Sequence, residues 1–445
     1  MDTHKKERFM SKTIGSRGDR RFYRFPLRAG AVLLSLLGGL AGTSTVRAQG
    51  AVETWHTVME SVIPASGRKN AVALPQYAYV DVAMYDAVNS IDRRYRAFAV
   101  NVAAARDASK DAAAAQAAHD VLLAHLPSQG IALDAALASS LSLIPDGQSK
   151  AAGIAVGKAV ASQWLVLRTG DGLEAPLTYT WGSGPGIWEP VPTYPAPPPN
   201  TPAAPVGVWL TVFKPFALAS ADQFLGEIPP PPALSSTAWV RDFNRTKEFG
   251  ALNSSLRTAA QTEIGRFWTA DAAAQYSGAV RSLIAAHHLD TAAAARLGAM
   301  YSVAASDAVT ACFNAKYHFA RWRPYTAITN ADTDGNPATT VDPSWIPLAV
   351  TPGHPEYPAA HGCVTEAIMD ALTAFFEDDE LPIAVFSSVT HTTHTFASFG
   401  DVVREVDDAR IYGGMHFRSS VLAGNRLGRS VVDYMLRTKF RPRED

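Results

Sequence analysis

Five side chains in the C-terminal third of the sequence have the types and spacing to hold an oxyanion: Lys316, Arg323, His361, Arg410 and His416. The first two belong to KYHFARWRPY, residues 316–325, where Lys316, His318, Arg321 and Arg323 crowd four potential cations into a short stretch. A spacing of seven places Lys316 and Arg323 on one helical face, and Pro324 ends that helix at Arg323. His318 and Arg321 fall off this face and read as surface or supporting groups. In PGHPEYPAAHGCVTEA, residues 352–367, Pro358 suits a first helical turn and His361 follows close behind. The backbone N–H groups of that turn, Ala360 among them, favour an anion. In ARIYGGMHFR, residues 409–418, Arg410 and His416 flank Gly413 and Gly414, which let the chain bend tightly. Lysine and arginine supply charge-assisted hydrogen bonds to tetrahedral oxygens. One histidine can serve as nucleophile or ligand and the other as an acid–base group.

The rest of the chain must position these groups. Its 445 residues are 47% hydrophobic and 18% charged, a globular composition with room for one large or two ordinary domains. The N-terminus reads as a signal peptide over residues 1–48: a basic stretch, the apolar AGAVLLSLLGGLAG at 29–42, and a small-residue processing site ending at Ala48. The apolar run is short for a bilayer span, so no stable membrane span is expected after processing, and the product is exported, periplasmic or secreted. Residues 1–48 hold ten Lys or Arg and three acids, which leaves 30 basic and 38 acidic residues beyond them. A mildly acidic chain is a poor nucleic-acid binder, and the cations at 316–323 stand against its global sign. That contrast favours a specific anion over a general basic surface.

Ala-rich amphipathic runs recur at 76–95, 110–126, 147–168, 257–268 and from 291 to 319, and again in the runs that follow His361 and Arg418. The fold class expected is all-α, with helical bundles and a long Pro-rich connecting segment. The domain division expected is 49–235, an N-terminal helical region ending in that segment, and 236–445, a C-terminal helical region carrying the oxyanion site. The Pro-rich stretch around 180–235 carries Trp188, Trp209, Phe213 and Phe216, rings that a solvated linker would lack, so it should wrap the helices.

The three motifs, in order and spacing, resemble the signature shared by vanadium-dependent haloperoxidases and type-2 phosphatidic acid phosphatases: K-x6-R-P, then P-S-G-H, then S-R-x5-H. AMYDAVNSID, KPFALASADQF and TAAQTEIGRFW resemble accessory segments of the bacterial exported haloperoxidase-like branch. The resemblance spans most of residues 75–425 and implies helical bundles of the haloperoxidase and acid phosphatase type. It implies vanadate as cofactor, with hydrogen peroxide, halide and a small organic acceptor as partners. Lys316, Arg323, Ala360 and Arg410 would bind the vanadate oxygens and His416 would be the axial ligand. His361 would be the acid–base catalyst, and Lys316 would polarise the peroxide. His354 resembles the extra active-site histidine of algal bromoperoxidases, which favours bromide or iodide. The alternatives are a periplasmic phosphomonoesterase, with phosphate on a phosphohistidine at His416, and an inactive oxyanion-binding relic.

The sequence departs from the signature at Ala359 and Ala360, where Ser and Gly are usual, at Ala409 in place of Ser, and at Ser420, where many phosphatases carry Asp. Some other carboxylate must then orient His416, and Glu405, Asp407 and Asp408 are near in sequence. Cys312 and Cys363, one turn from Lys316 and two residues from His361, stand either as a disulfide or as two buried thiols. HTTH at 391–394 lacks a third metal ligand and reads as a polar loop. DTDGN at 332–336 reads as a turn rather than a calcium loop. His56, His119, His125, His287 and His288 read as exposed helix residues.

Overall fold

The computed structural model describes residues 50–191 and 204–443. The expected signal peptide and the most proline-dense part of the connecting segment lie outside these residues. Thirteen α-helices are present among the described residues. The first five are α1 (Ala51–Ala65), α2 (Leu74–Asp92), α3 (Lys110–His125), α4 (Gly130–Ser142) and α5 (Gln148–Leu167). After the connecting segment come α6 (Thr237–Gly250), α7 (Ala259–Phe267), α8 (Ala272–Ala286), α9 (Thr291–Phe319) and α10 (Pro324–Thr329). Then follow α11 (Ala360–Phe376), the antiparallel pair β1 (Ile383–Phe386) and β2 (Thr393–Phe396), α12 (Phe399–Tyr412) and α13 (Arg418–Thr438).

Alanine decides how these helices meet. Six alanines of α3 between Ala112 and Ala118 are fully buried, so their methyls let neighbouring backbones approach closely. On α13, a Cβ at Gly428 would stand 2.4 Å from the Cys363 carbonyl of α11, so only glycine fits this contact. Helices α2 and α9 are buried almost all round and form the middle of the packing. Helix α2 packs against α3, which packs against α5; on the other side α9 packs against α11, and α11 against α13 and α12. The all-α class and the helical bundles are those that the sequence implies.

Two buried aspartates tie loops to this middle layer. Asp86 of α2 accepts from the N–H groups of Phe98, Ala99 and Val100 at 2.7–3.0 Å. Asp307 of α9 accepts from those of Phe216, Ala217 and Leu218 at 2.7–3.0 Å. Burial pushes both carboxyls up to about 6, against the pull of the three N–H donors. Asp86 lies in the AMYDAVNSID stretch, and the KPFALAS stretch supplies the three N–H groups that Asp307 accepts from. The connecting segment does wrap the helices: Trp188 and Phe213 are buried, and Trp209 and Phe216 nearly so. Trp188 N–H donates to the Ala320 carbonyl at 2.6 Å, and Val206 N–H to Gly353 at 2.8 Å.

Several local expectations are corrected. Lys316 and Arg323 do not share a helix. Helix α9 stops at Phe319 because Ala320 turns left-handed, at φ 46°, and Trp322 N–H bonds to Gly186 instead of continuing the ladder. Arg323 is extended, as residues before proline prefer, and Pro324 opens α10 rather than closing α9. Pro358 precedes α11, whose N-cap is Ala359. The HTTH stretch is loop at His391 and Thr392 and strand at Thr393 and His394, the start of β2. His56 and His119 are buried, whereas His287 and His288 are exposed. His56 lies between Asp81 Oδ1 at 3.0 Å and Ser277 Oγ at 3.1 Å. DTDGN is a turn, closed by Asp334 onto Asn336 N–H and the Thr339 hydroxyl.

Replacing Asp307 by Ala strands three buried N–H donors, each worth about 1–3 kcal/mol when unpaired. The expected loss is about 3 kcal/mol or more in denaturant unfolding, and a loss below about 1 kcal/mol contradicts the clamp.

Candidate functional site

The three sequence motifs converge at one place. Lys316, from the last turn of α9, is fully buried, and its Nζ donates to the carbonyls of Pro355 and Glu356 at 2.9 and 3.0 Å. Arg323, also fully buried, reaches across from the start of α10. Its Nε donates to the His354 carbonyl at 2.8 Å, and its Nη1 to the Met415 carbonyl at 3.0 Å and to His416 Nε2 at 3.2 Å. Its Nη2 donates to His354 Nδ1 at 2.9 Å. Arg410, near the end of α12, donates through Nη2 to the Trp268 carbonyl at 2.6 Å and through Nη1 to His361 Nδ1 at 3.3 Å. Its Nε has no partner. The bend between α12 and α13 depends on Gly414, at φ +70°, where a Cβ would stand 2.5 Å from the Gly250 carbonyl.

The carboxylate that orients His416 is Glu356. His416 Nδ1 donates to Glu356 Oε1 at 2.9 Å, and the same oxygen accepts from Phe417 N–H at 3.0 Å. None of the three acids favoured by sequence proximity reaches His416. Glu405 holds Trp268 and His394, Asp407 holds Asn425, and Asp408 holds Arg418. Ser420 donates to the Glu356 backbone carbonyl at 3.3 Å, which ties the start of α13 to the same residue. The available signal was that Glu356 is the only acid between His354 and His361.

Hydrogen bonding also fixes two tautomers. Arginine only donates, so His416 Nε2 must accept from Arg323, and the proton sits on Nδ1 facing Glu356. His361 Nδ1 accepts from Arg410, so its proton is on Nε2. Both rings are held well below the ordinary histidine range, by burial first. Neighbouring cations then add to this, Arg410 foremost at His361 and Arg323 at His416. The result is one imidazole presenting a lone pair among cations and another carrying a transferable proton. His354 is likewise held well below its ordinary range by burial and then by Arg323.

The charge balance points to an anion. Lys316, Arg323 and Arg410 make no carboxylate ion pair among the described residues. Burial pulls Lys316 down to about 8 and both arginines down to about 10. Glu356 is the one acid close by, and burial pushes its carboxyl up to about 7, against Phe417 N–H and the two cations. Three desolvated cations facing one weakened carboxylate fit a multiply charged oxyanion. Of the remaining cations of 316–323, Arg321 donates to the Pro232 carbonyl and lies over the Trp239 ring at 4.8 Å, and His318 is exposed.

A cavity of about 550 Å³ opens onto this cluster, lined by His354, Ala360, His361, Arg410, Met415 and His416 at one end. The remainder is mostly apolar and includes Val206 of the connecting segment, Trp268, Phe313 and Val364. Ala360 and His361 are in the first turn of α11, where N–H groups lack intrahelical partners. Ala359 lies outside the cavity, packed against Ile411 and Val421. Cys312 and Cys363 are buried free thiols, and Cys312 Sγ donates to the Pro358 carbonyl at 3.6 Å.

Residues 296–443 match the family model described as the VCPO second helical-bundle domain. No curated protein shows significant sequence similarity to the chain. Among solved structures, the chain is similar to one described as the first bacterial vanadium-dependent iodoperoxidase. The two share 22% identity, with a TM-score of 0.74, over 89% of this chain and 99% of that one. It is also similar to a holo-type bacterial vanadium-dependent chloroperoxidase, at 16% identity and a TM-score of 0.66, over 85% of this chain and 93% of that one. Residues 296–443 thus form a second helical bundle of the VCPO type, and the chain shares its fold with the solved bacterial vanadium-dependent peroxidases.

Proposed function

We propose that this protein is an exported, vanadate-dependent haloperoxidase that oxidises halide with hydrogen peroxide, bromide or iodide before chloride. The observation that carries the reading is the Glu356–His416–Arg323 line inside a cluster of unpaired buried cations. It presents one imidazole nitrogen, His416 Nε2, to an oxyanion. Vanadate bound there would supply Lewis-acid activation of peroxide. Lys316, Arg323 and Arg410 would hold its oxygens, with the N–H of Ala360 beside them, and His416 Nε2 would be its ligand. Low dielectric strengthens each of these contacts. Glu356 keeps the His416 proton on Nδ1, so Nε2 keeps a lone pair that would pass from Arg323 to the anion. His361, neutral and protonated on Nε2, would give and take the proton that peroxide chemistry requires. His354 rests on Arg323 and Phe313 and faces the cavity, where it would meet the halide.

Ala359 is compatible with this reading. Its methyl fills an apolar cluster away from the cavity, so the missing hydroxyl leaves no gap among the groups that line it. The phosphomonoesterase alternative uses the same frame with His416 Nε2 as nucleophile, and the two separate by experiment. The protein is freed of anions, then reloaded with vanadate or with phosphate, and peroxide-dependent bromide oxidation is followed. Activity with vanadate alone is the expected result, and His416→Ala should abolish both it and the vanadate binding. Phosphomonoester hydrolysis without any bromide oxidation would replace this reading with the phosphatase.

The buried lysine sets a pH dependence. Lys316 titrates near 8 in the folded protein, and an anion binds its charged form better. Anion affinity should therefore fall as pH rises through about 8, with further weakening from about 7 as Glu356 ionises. Sulfate is the suitable probe, because its charge is constant there. Calorimetric affinity should decline by approaching tenfold per pH step above 8, and in Lys316→Gln the decline above 8 should vanish.

Glu356→Gln keeps an acceptor for His416 but removes the charge. Peroxidase activity is expected to fall about 10–100-fold, with the circular dichroism spectrum unchanged. An unaltered rate would show that His416 needs no anionic support.

A further inference from the structure

The oxidising chemistry proposed above would take place beside a thioether. Met415 lies between Gly414 and His416 and is the only methionine of the described residues that lines the cavity. Met59, Met84, Met300, Met369 and Met435 are buried in helices away from it. The Met415 sulfur lies 4.0 Å from Arg410 Nη1, the nitrogen that also donates to His361 Nδ1. The Met415 carbonyl meanwhile accepts from Arg323 Nη1. A soft nucleophile thus stands at the wall where the product would form, touching one of the cations that would hold the anion.

We propose that Met415 is an oxidation site of the protein's own product: hypohalous acid formed in the cavity converts its thioether to the sulfoxide and thereby weakens the oxyanion site. This rests on the haloperoxidase reading. The step balances. The sulfur attacks the halogen of hypohalous acid, a sulfur–halogen bond forms and hydroxide leaves. Water then attacks the sulfur, halide departs, and two protons are released, one of which neutralises the hydroxide. Sulfur loses two electrons and the halogen gains two, so thioether and hypohalous acid give sulfoxide, halide and one net proton. The sulfoxide oxygen is a far stronger acceptor than the thioether sulfur. It would draw Arg410 Nη1 away from His361 and from the anion, so the modification acts on the site and not only on packing.

The test uses the protein loaded with vanadate and turning over peroxide and bromide, with excess free methionine in solution to intercept escaped oxidant. A bromide-free control accounts for direct oxidation by peroxide. Peptide mass spectrometry should show one added oxygen on Met415, rising with turnover and at least tenfold ahead of the five other methionines of the described residues. The modified protein should bind vanadate several-fold more weakly, and methionine sulfoxide reductase acting on the unfolded and refolded chain should restore it. Met415→Leu, similar in volume, should complete several-fold more turnovers before losing activity. Bromide oxidation that leaves Met415 a thioether, or oxidises it no faster than the buried methionines, overturns this inference alone. A protein that oxidises no halide overturns the functional reading and this inference with it.

Discussion

The structure is organised around three cations taken out of water without a carboxylate to meet them. Desolvating a charge is expensive, and backbone carbonyls offset only part of it. Each cation therefore recruits carbonyls from segments distant in sequence: Lys316 from 355–356, Arg323 from 354 and 415, Arg410 from 268. These bonds hold α9, α10, α12 and the loops at 352–358 and 413–417 at fixed mutual positions. The remaining deficit of charge is what an anion would fill. The same burial that pulls Lys316 and the arginines down also strengthens any attraction they exert.

Three neutral histidines surround this cluster, and their titration alone does not tell them apart. Hydrogen-bond partners do. His416 is pinned between a carboxylate oxygen, which takes its Nδ1 proton, and a guanidinium, which meets its Nε2 lone pair. His361 is pinned on one nitrogen only, which leaves it a proton. His354 receives Arg323 and stacks near Phe313, 4.8 Å between ring centroids, without a carboxylate. One residue type thus provides three distinct chemical positions because each ring meets a different neighbour.

Much of this was legible in the sequence, and its limits have physical causes. The five charged and imidazole groups were recognisable by type and order, and the structure brings all of them together. Their mutual geometry was not, because helix α9 ends at a left-handed Ala320 that no side-chain pattern announces, and Trp322, stacked on Trp239, then carries the chain to Arg323. Glu356 was missed because a carboxylate partner is selected by distance in space, and the acids adjacent to His416 in sequence point into the α12–α13 interface and toward Trp268. His56 and His119 were misread for another reason. In Ala-rich helices the apolar face carries little contrast, so sequence periodicity says little about which side is buried. The described parts of the connecting segment pack as expected because large aromatic rings in a Pro-rich stretch have few destinations other than a protein surface that covers them.

The departures from the superfamily signature gain a common explanation from the fold. At Ala359 a methyl completes the cluster with Ile411 and Val421, while the backbone N–H of the same residue donates to the Ser420 carbonyl. Ser420, where the phosphatases carry a carboxylate, instead fastens the Glu356 carbonyl with its hydroxyl. The carboxylate function has moved to the other side of His416, onto the loop that also supplies carbonyls to Lys316 and Arg323. A carboxylate placed there holds one imidazole and lies near two cations without pairing with either, and burial raises its pKa against the pull of those cations. An anion site of the kind proposed would lose little by giving up a serine hydroxyl at the helix start. Its holding groups are guanidinium, ammonium and backbone N–H, all fixed before the anion arrives.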